Sequence, residues 1–300
     1  MDDVAIMLST YNGEKYLDEQ LHSIWLQKDV QVHLYVRDDG STDSTLSIID
    51  RWKEKLCIES IPFDCNVGPA YSFWKLCKAV PMHAYYAFCD QDDVWDEDKL
   101  ITAIRQINMA QGPALCFCDE RTIDANGKVL LEETIPKPIV TFESEIVCGY
   151  CPGCAMVFNY ALLAKVIKHE YTAICMHDML FLLNAYILGE VVFDPIPHFS
   201  RRVHANNVVA TDGRRTMSKI KYKIKRYTLK SRVGLDSFVQ EIVKNNTFDQ
   251  KKEYGDELLL IANYKHHIGN IIKILRNRRF TSANSKGLRS FRIRLIWGLL

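Results

Sequence analysis

No part of this 300-residue chain holds an uninterrupted apolar run approaching the ~18 residues that a membrane span requires. The nearest contender, Met179 to Leu188, is broken by Asn184 and stops before Glu190. The start, Met1-Asp2-Asp3, is acidic where a secretory leader is basic, so no export signal is expected. The ten cysteines, all between Cys57 and Cys175, therefore read as reduced cytosolic thiols. Cys148, Cys151 and Cys154 come closest to a zinc pattern but lack a fourth ligand at suitable spacing. Internal repeats and low-complexity stretches are also missing, which excludes solenoids and disordered tails.

With 48% hydrophobic residues, the chain can bury a full α/β core. Its net charge of +1 hides a strong asymmetry. Residues 214–300 carry 21 Lys/Arg against 6 Asp/Glu, a surplus of 15, and residues 1–213 carry 17 against 31, a deficit of 14. Two modules are expected: residues 1–211, and a basic, proline-free, mainly helical extension over 212–300 with a hinge at Thr211-Asp212-Gly213. Lys219 to Tyr227 alternates basic and apolar residues, and Phe291 to Leu300 sets Arg292 and Arg294 beside Ile296, Trp297, Leu299 and Leu300. That pattern fits either a solvated helical subdomain or an anionic membrane surface. No nucleic-acid motif accompanies the charge.

Three apolar runs read as buried strands: Val4–Leu8, Val32–Val36 and Tyr85–Cys89. Each ends in polar, ligand-capable residues, namely Ser9-Thr10-Tyr11-Asn12-Gly13-Glu14, Asp38-Asp39-Gly40-Ser41-Thr42-Asp43, and Asp90-Gln91-Asp92-Asp93. The carboxyl ends of strands are where open α/β sheets bind ligands, so one crevice is implied. Carboxylates this close repel one another, an arrangement stabilised by a divalent cation or a hydrogen-bonding ligand. Between the strands lie helical patterns, the first with Leu17, Leu21, Ile24 and Trp25 on one face. Further strands are expected at Ala114–Cys118, Ala155–Phe158 and Val191–Phe193, and a hairpin turn at Ala125–Lys128. The alternation predicts a mostly parallel, Rossmann-like sheet with helices on both faces.

These motifs, with Asn66-Val67-Gly68, Gly153-Cys154-Ala155-Met156, His177-Asp178 and Arg202-Val203-His204-Ala205-Asn206-Asn207, resemble the inverting family-2 glycosyltransferases of GT-A fold, notably the rhamnosyltransferase-like bacterial branch. The resemblance covers roughly residues 4–210. It implies that Thr10, Tyr11, Asn12 and Glu14 hold the nucleoside, that Asp39 with Asp38 bonds the base or ribose, and that Asp90 faces the ribose or sugar. It further implies that Asp92 and His204 meet a divalent metal, Mg²⁺ or Mn²⁺, on the diphosphate, and that Asp178 is the catalytic base. A helix N-cap is the other reading of Asp178, and a hydrogen-bonded loop histidine the other reading of His204. Ser200-Arg201-Arg202 and Met179-Leu180 depart from the family pattern on the acceptor side.

The expected activity is transfer of a sugar to a saccharide or lipid-linked saccharide in cell-surface polysaccharide synthesis. The donor would be dTDP-rhamnose, or else a UDP-hexose, and the enzyme would sit in the cytoplasm, peripheral at the inner face of the bacterial plasma membrane. Two rivals stay open. Asp90-Gln91-Asp92-Asp93-Val94 also fits the nucleophile motif of haloacid-dehalogenase-like phosphatases, and a non-catalytic nucleotide-sugar-binding protein could keep the same scaffold.

Overall fold

The computed structural model describes residues 1–204, 233–246 and 254–300. Strands β1 (Asp2–Thr10), β2 (Val30–Asp38), β3 (Cys57–Ser60) and β4 (Tyr85–Cys89) pair in parallel, in the order β3-β2-β1-β4. Val4 to Leu8 are wholly buried, as a central parallel strand covered on both faces demands. The covering helices include α1 (Leu17–Trp25), α2 (Thr45–Trp52), α3 (Gly68–Ala79) and α4 (Lys99–Ile107). Leu17, Leu21 and Ile24 face the core as their spacing predicts, but Trp25 does not and is 47% exposed.

Beyond β4 the sheet is mixed rather than parallel. A short β5 (Val94–Trp95), β6 (Ala114–Ile123) and its hairpin partner β7 (Val129–Leu131) come next in the chain. The excursion through α5 (Phe142–Val147) and a 3₁₀ turn at Gly153–Ala155 then returns the chain as β8 (Met156–Asn159), antiparallel to both β4 and β6. Helices α6 (Tyr160–Ile167) and α7 (His177–Leu188) lead into β9 (Glu190–Arg202), which runs parallel to β6. β9 is far longer than its apolar run Val191–Phe193, because Pro195, Pro197 and several polar residues hide the rest. Register shifts on both sides of Asp119 absorb them. Gly189 lets β9 enter, since a Cβ there would meet the Pro113 carbonyl oxygen at 1.9 Å.

The C-terminal helices α8 (Leu235–Asn245), α9 (Gly255–Ala262), α10 (Ile268–Arg276) and α11 (Ser285–Ile296) share the core of the first module. Glu241 accepts the N–H groups of Thr172 and Ala173 at 2.8 and 2.9 Å, and Asn246 donates to Asn184 at 3.0 Å. Arg279 bridges the buried Glu143 and Glu257. Leu300, grouped by sequence with the exposed apolar end, is instead buried. Its N–H donates to the Tyr264 hydroxyl at 3.0 Å, because the chain end folds back under the helices. The hinge at Thr211, the Lys219–Tyr227 alternation and Ala205-Asn206-Asn207 lie outside the described residues. All ten cysteines are free thiols.

Candidate active site

β1, β2 and β4 end at one edge of the sheet, with Thr10 beside Asp38 and Leu8 beside Cys89. That register brings the three polar loops together. Arg37 is fully buried beneath them, and its guanidinium donates to Asp39 at 2.6 Å, to Ser72 at 3.1 Å and to Asp64 at 3.1 Å. Asp39 is buried too, and also accepts the N–H groups of Val67 (3.0 Å) and Gly68 (2.8 Å) at the start of α3. Asp38 accepts four bonds, from the Thr10 hydroxyl, the Ser41 hydroxyl, and the N–H groups of Gly40 and Ser41. Both carboxylates thus have their lone pairs committed within the protein.

The first loop is fastened from two sides. The Asn12 side-chain Oδ1 accepts the Thr42 N–H at 2.8 Å, and Glu14 accepts the Ser44 N–H at 2.9 Å, ahead of α2. From β4, the Gln91 amide makes a two-way bond with the Tyr11 backbone, accepting its N–H at 2.9 Å and donating to its carbonyl at 3.1 Å. Gly13 is needed beneath that amide, where a Cβ would lie 2.3 Å from the Gln91 oxygen. The Tyr11 ring stays half-exposed at the rim.

Asp90, Asp92 and Asp93 take three different environments. Burial pushes the Asp90 carboxyl up to about 7, with the charges of Asp92 and Asp178 adding to the effect. Asp93 is buried and pushed further up, again by burial first and by its two neighbours next, while it accepts the Arg202 N–H at 3.0 Å. Asp92 stays partly open and meets His204 Nε2 at 2.7 Å. His204 packs on the Tyr16 ring, and the buried Arg202 guanidinium lies over that same ring at 4.7 Å while pairing with Glu19 at 2.6 Å. Arg201 forms a two-pronged pair with Glu120.

Asp178 occupies the first turn of α7, but the N-cap is Met176, and the Asp178 carboxylate accepts only backbone N–H groups, that of Met179 at 2.6 Å among them. The N-cap position thus belongs to Met176, while Asp178 still accepts a first-turn N–H group. Burial raises the Asp178 carboxyl to about 6. His177 turns away from solvent, stacked on Phe73 at 3.9 Å, and burial pushes it down to about 3, so its ring is neutral packing. Every residue expected from sequence lies in or around this crevice. Arg37, Gln91, Arg202 and Tyr16 were missed, because their partners stand 80 or more residues away or their roles depend on burial.

The model of the family described as "Glycosyl transferase family 2" matches residues 5–167, more than half the chain. The chain belongs to that family. A dTDP-rhamnosyl transferase, RfbG of Shigella flexneri, is 29% identical over 89% of this chain and 92% of its own length. The poly(ribitol-phosphate) β-N-acetylglucosaminyltransferase TarS of Staphylococcus aureus is 25% identical over 61% of this chain but only 32% of its own. Among solved structures, TarS residues 1–349 with UDP-GlcNAc superimposes with a TM-score of 0.60 at 20% identity, covering 99% of this chain and 82% of that one. A mannosyltransferase of Pyrobaculum calidifontis with GDP-Man and Mn²⁺ gives 0.60 at 14% identity, covering 99% and 86%. The glycosyltransferase is thus of GT-A fold, and its acidic motif follows the fourth strand, not the first as the phosphatase alternative requires. Neither rival reading gains support.

The Arg37–Asp39 pair yields a test. Asp39→Ala leaves a buried guanidinium short of its main counter-charge, so stability should fall by about 3 kcal/mol. Urea unfolding checks it, and a loss under about 1 kcal/mol would remove Asp39 from this bracing role.

Proposed function

We propose that this enzyme moves rhamnose from dTDP-rhamnose to a saccharide or lipid-linked saccharide, in the synthesis of a cell-surface polysaccharide. The carrying observation is the carboxylate set Asp90, Asp92 and Asp178, placed where β1, β2 and β4 end, with Asp178 close enough for its charge to raise Asp90. Identity to a dTDP-rhamnosyl transferase across nearly the whole chain supports the donor.

In this reading Thr10, Tyr11, Asn12, Glu14 and Asp90 line the donor pocket. Asp38 and Asp39 shape it from behind, since their oxygens already accept bonds from the loops. Asp92 and His204 would hold a divalent cation, Mg²⁺ or Mn²⁺. The donor set fits a hard cation: a partly open carboxylate, an adjacent imidazole, and neighbouring carboxylates whose mutual repulsion marks a deficit of positive charge. When bound, the cation offsets the diphosphate's negative charge. The acceptor oxygen attacks C1 of the sugar as the C1–O bond to the diphosphate breaks, and Asp178 takes the hydroxyl proton. One displacement inverts the anomeric carbon.

The C-terminal helices provide the proposed attachment surface. Ile293 and Ile296 line a groove of about 260 Å³ with Arg289 and Arg292, and Trp297 is 74% exposed beside it. Apolar groups ringed by cations suit an anionic bilayer, where each basic residue contributes roughly 1 kcal/mol.

With a panel of nucleotide-sugars, turnover should be fastest with dTDP-rhamnose, and faster turnover of a UDP-hexose would reassign the donor. Asp178→Asn should slow transfer by about 10²–10⁴-fold with donor affinity retained. The wild-type rate should rise with pH through about 6, as the base loses its proton. Stability carries the opposite sign: the folded state holds this proton more tightly than the unfolded chain, so ionisation opposes folding. Asp178→Asn should therefore gain stability relative to wild type between pH 4 and pH 8, along a window set by values of 3.8 and about 6. A variant that loses under about tenfold in rate would sink the base assignment.

Asp92→Asn should abolish transfer and weaken cation-assisted donor binding, with an unchanged unfolding midpoint. Transfer that survives both this change and a chelator would exclude the cation role.

Vesicle co-sedimentation tests the surface. The full chain should bind anionic vesicles more tightly than neutral ones and be released by salt, since attraction acts within about 8 Å. Ile296→Asp with Trp297→Glu should abolish binding while transfer to a soluble acceptor persists. Equal binding by wild type and this variant would refute it.

A further inference from the structure

A second cluster of metal-ligand side chains lies at the far end of the same strands. Asp3 opens β1, His33 lies on β2, and His83 precedes β4 by two residues. Seven residues of extended strand, about 23 Å, separate Asp3 from Thr10. No linear motif joins the three, because the parallel register of β1, β2 and β4 alone brings them together.

We propose that Asp3, His33 and His83 form a binding site for a divalent transition-metal ion of the Zn²⁺ class, separate from the donor site. One ligand atom from each lies within 4.8 Å of the others. His83 Nδ1 stands 2.6 Å from one Asp3 oxygen, and His33 Nε2 stands 2.9 Å from the other. Two imidazoles and one carboxylate are a ligand set suited to Zn²⁺ and its neighbours, with the remaining positions open to water.

Two further observations point to an ion rather than a simple hydrogen-bonded brace. The Asp3 Oδ1 atom is shielded from solvent and accepts no hydrogen bond, although His33 Nε2 is 2.9 Å away. The oxygen is thus a buried acceptor within reach of an imidazole but without a hydrogen bond of its own. In addition, His83 Nε2 meets the Tyr35 hydroxyl at 2.8 Å. Were an ion to take Nδ1 in place of its bond to Asp3, Nε2–H would donate to Tyr35, which is the outer-sphere arrangement that orients a metal-bound imidazole. Ligand atoms on a tetrahedral Zn²⁺ are about 3.3 Å apart, so Asp3 would draw back by less than about 1 Å and the two imidazole nitrogens, within 4.8 Å, would settle to that spacing. An ion here would tie together the starts of the three strands whose ends carry the donor loops.

Calorimetric titration of the full chain with Zn²⁺, in excess Mg²⁺ to fill the donor site, tests this. One equivalent should bind to wild type and to Asp92→Asn, and be lost in His33→Ala and Asp3→Asn. Tyr35→Phe should weaken it by about 10–100-fold. Co²⁺ bound in its place should give the visible absorption of a low-coordinate imidazole site, absent in His33→Ala. Unfolding in EDTA controls for folding, because partly exposed His33 can be replaced without opening the core. Zn²⁺ stoichiometry that His33→Ala leaves unchanged, or that Asp92→Asn removes instead, would overturn the proposal.

Discussion

Negative charge gathered at one edge of the sheet is the constraint on which most of this structure depends. Asp90, Asp92, Asp93 and Asp178 share one crevice, and Asp38 and Asp39 stand beside it. Left alone, such a set would drive its strands apart. The protein answers with buried cations and directed N–H groups. Arg37 sits under Asp39, the Arg202 backbone reaches Asp93, and His204 meets Asp92. Where burial outweighs the stabilising partners, it raises the carboxyl instead, as at Asp90 and Asp178.

That division sorts the acids by chemistry. Asp38 and Asp39 accept as many bonds as their oxygens allow and act as braces for the loops. Asp93 is buried under Arg202 and holds β9 against the acidic turn. Asp92 keeps an open side and an imidazole, and Asp178 keeps a raised affinity for protons within reach of solvent. Only the last two have the freedom a reacting group needs. In the proposed reading the same residue type serves as brace, ligand and base, according to how many donors surround it.

Much of this was legible in sequence where local pattern and tertiary role agree. Tyr85–Cys89 is apolar at every position and ends in Asp90, so strand, burial and crevice followed from one segment. The hairpin at Asp124–Lys128 was equally plain, with the Asp124 carboxylate accepting the Asn126 and Lys128 N–H groups. Legibility fails where long-range contacts override pattern. Gln91 looks like filler between two aspartates, yet it locks Tyr11 across 80 residues. Trp25 has the spacing of a core residue but lies at the end of α1, where the helix leaves the sheet. Leu300 sits in a basic, apolar tail and is buried only because Tyr264 takes its backbone. β9 hides behind two prolines tolerated at its register shifts.

The helix that carries Asp178, the proposed base, also ties the two charge-opposed halves of the chain together. Asp178 lies in the first turn of α7, a helix buried over most of its length, whose Asn184 is held by Asn246 from α8. The donor loops, by contrast, are braced mainly by one another, with Arg202, His204 and Cys154 reaching the acidic turn from later in the chain. In the proposed reading, changes in the C-terminal helices would reach the base and the acceptor side before the donor pocket. Departures from the family pattern at Met179-Leu180, on α7 itself, fall on that side. On that reading, a fold built this way would hold its donor chemistry constant while the acceptor varies, since the two sites would rest on different packing.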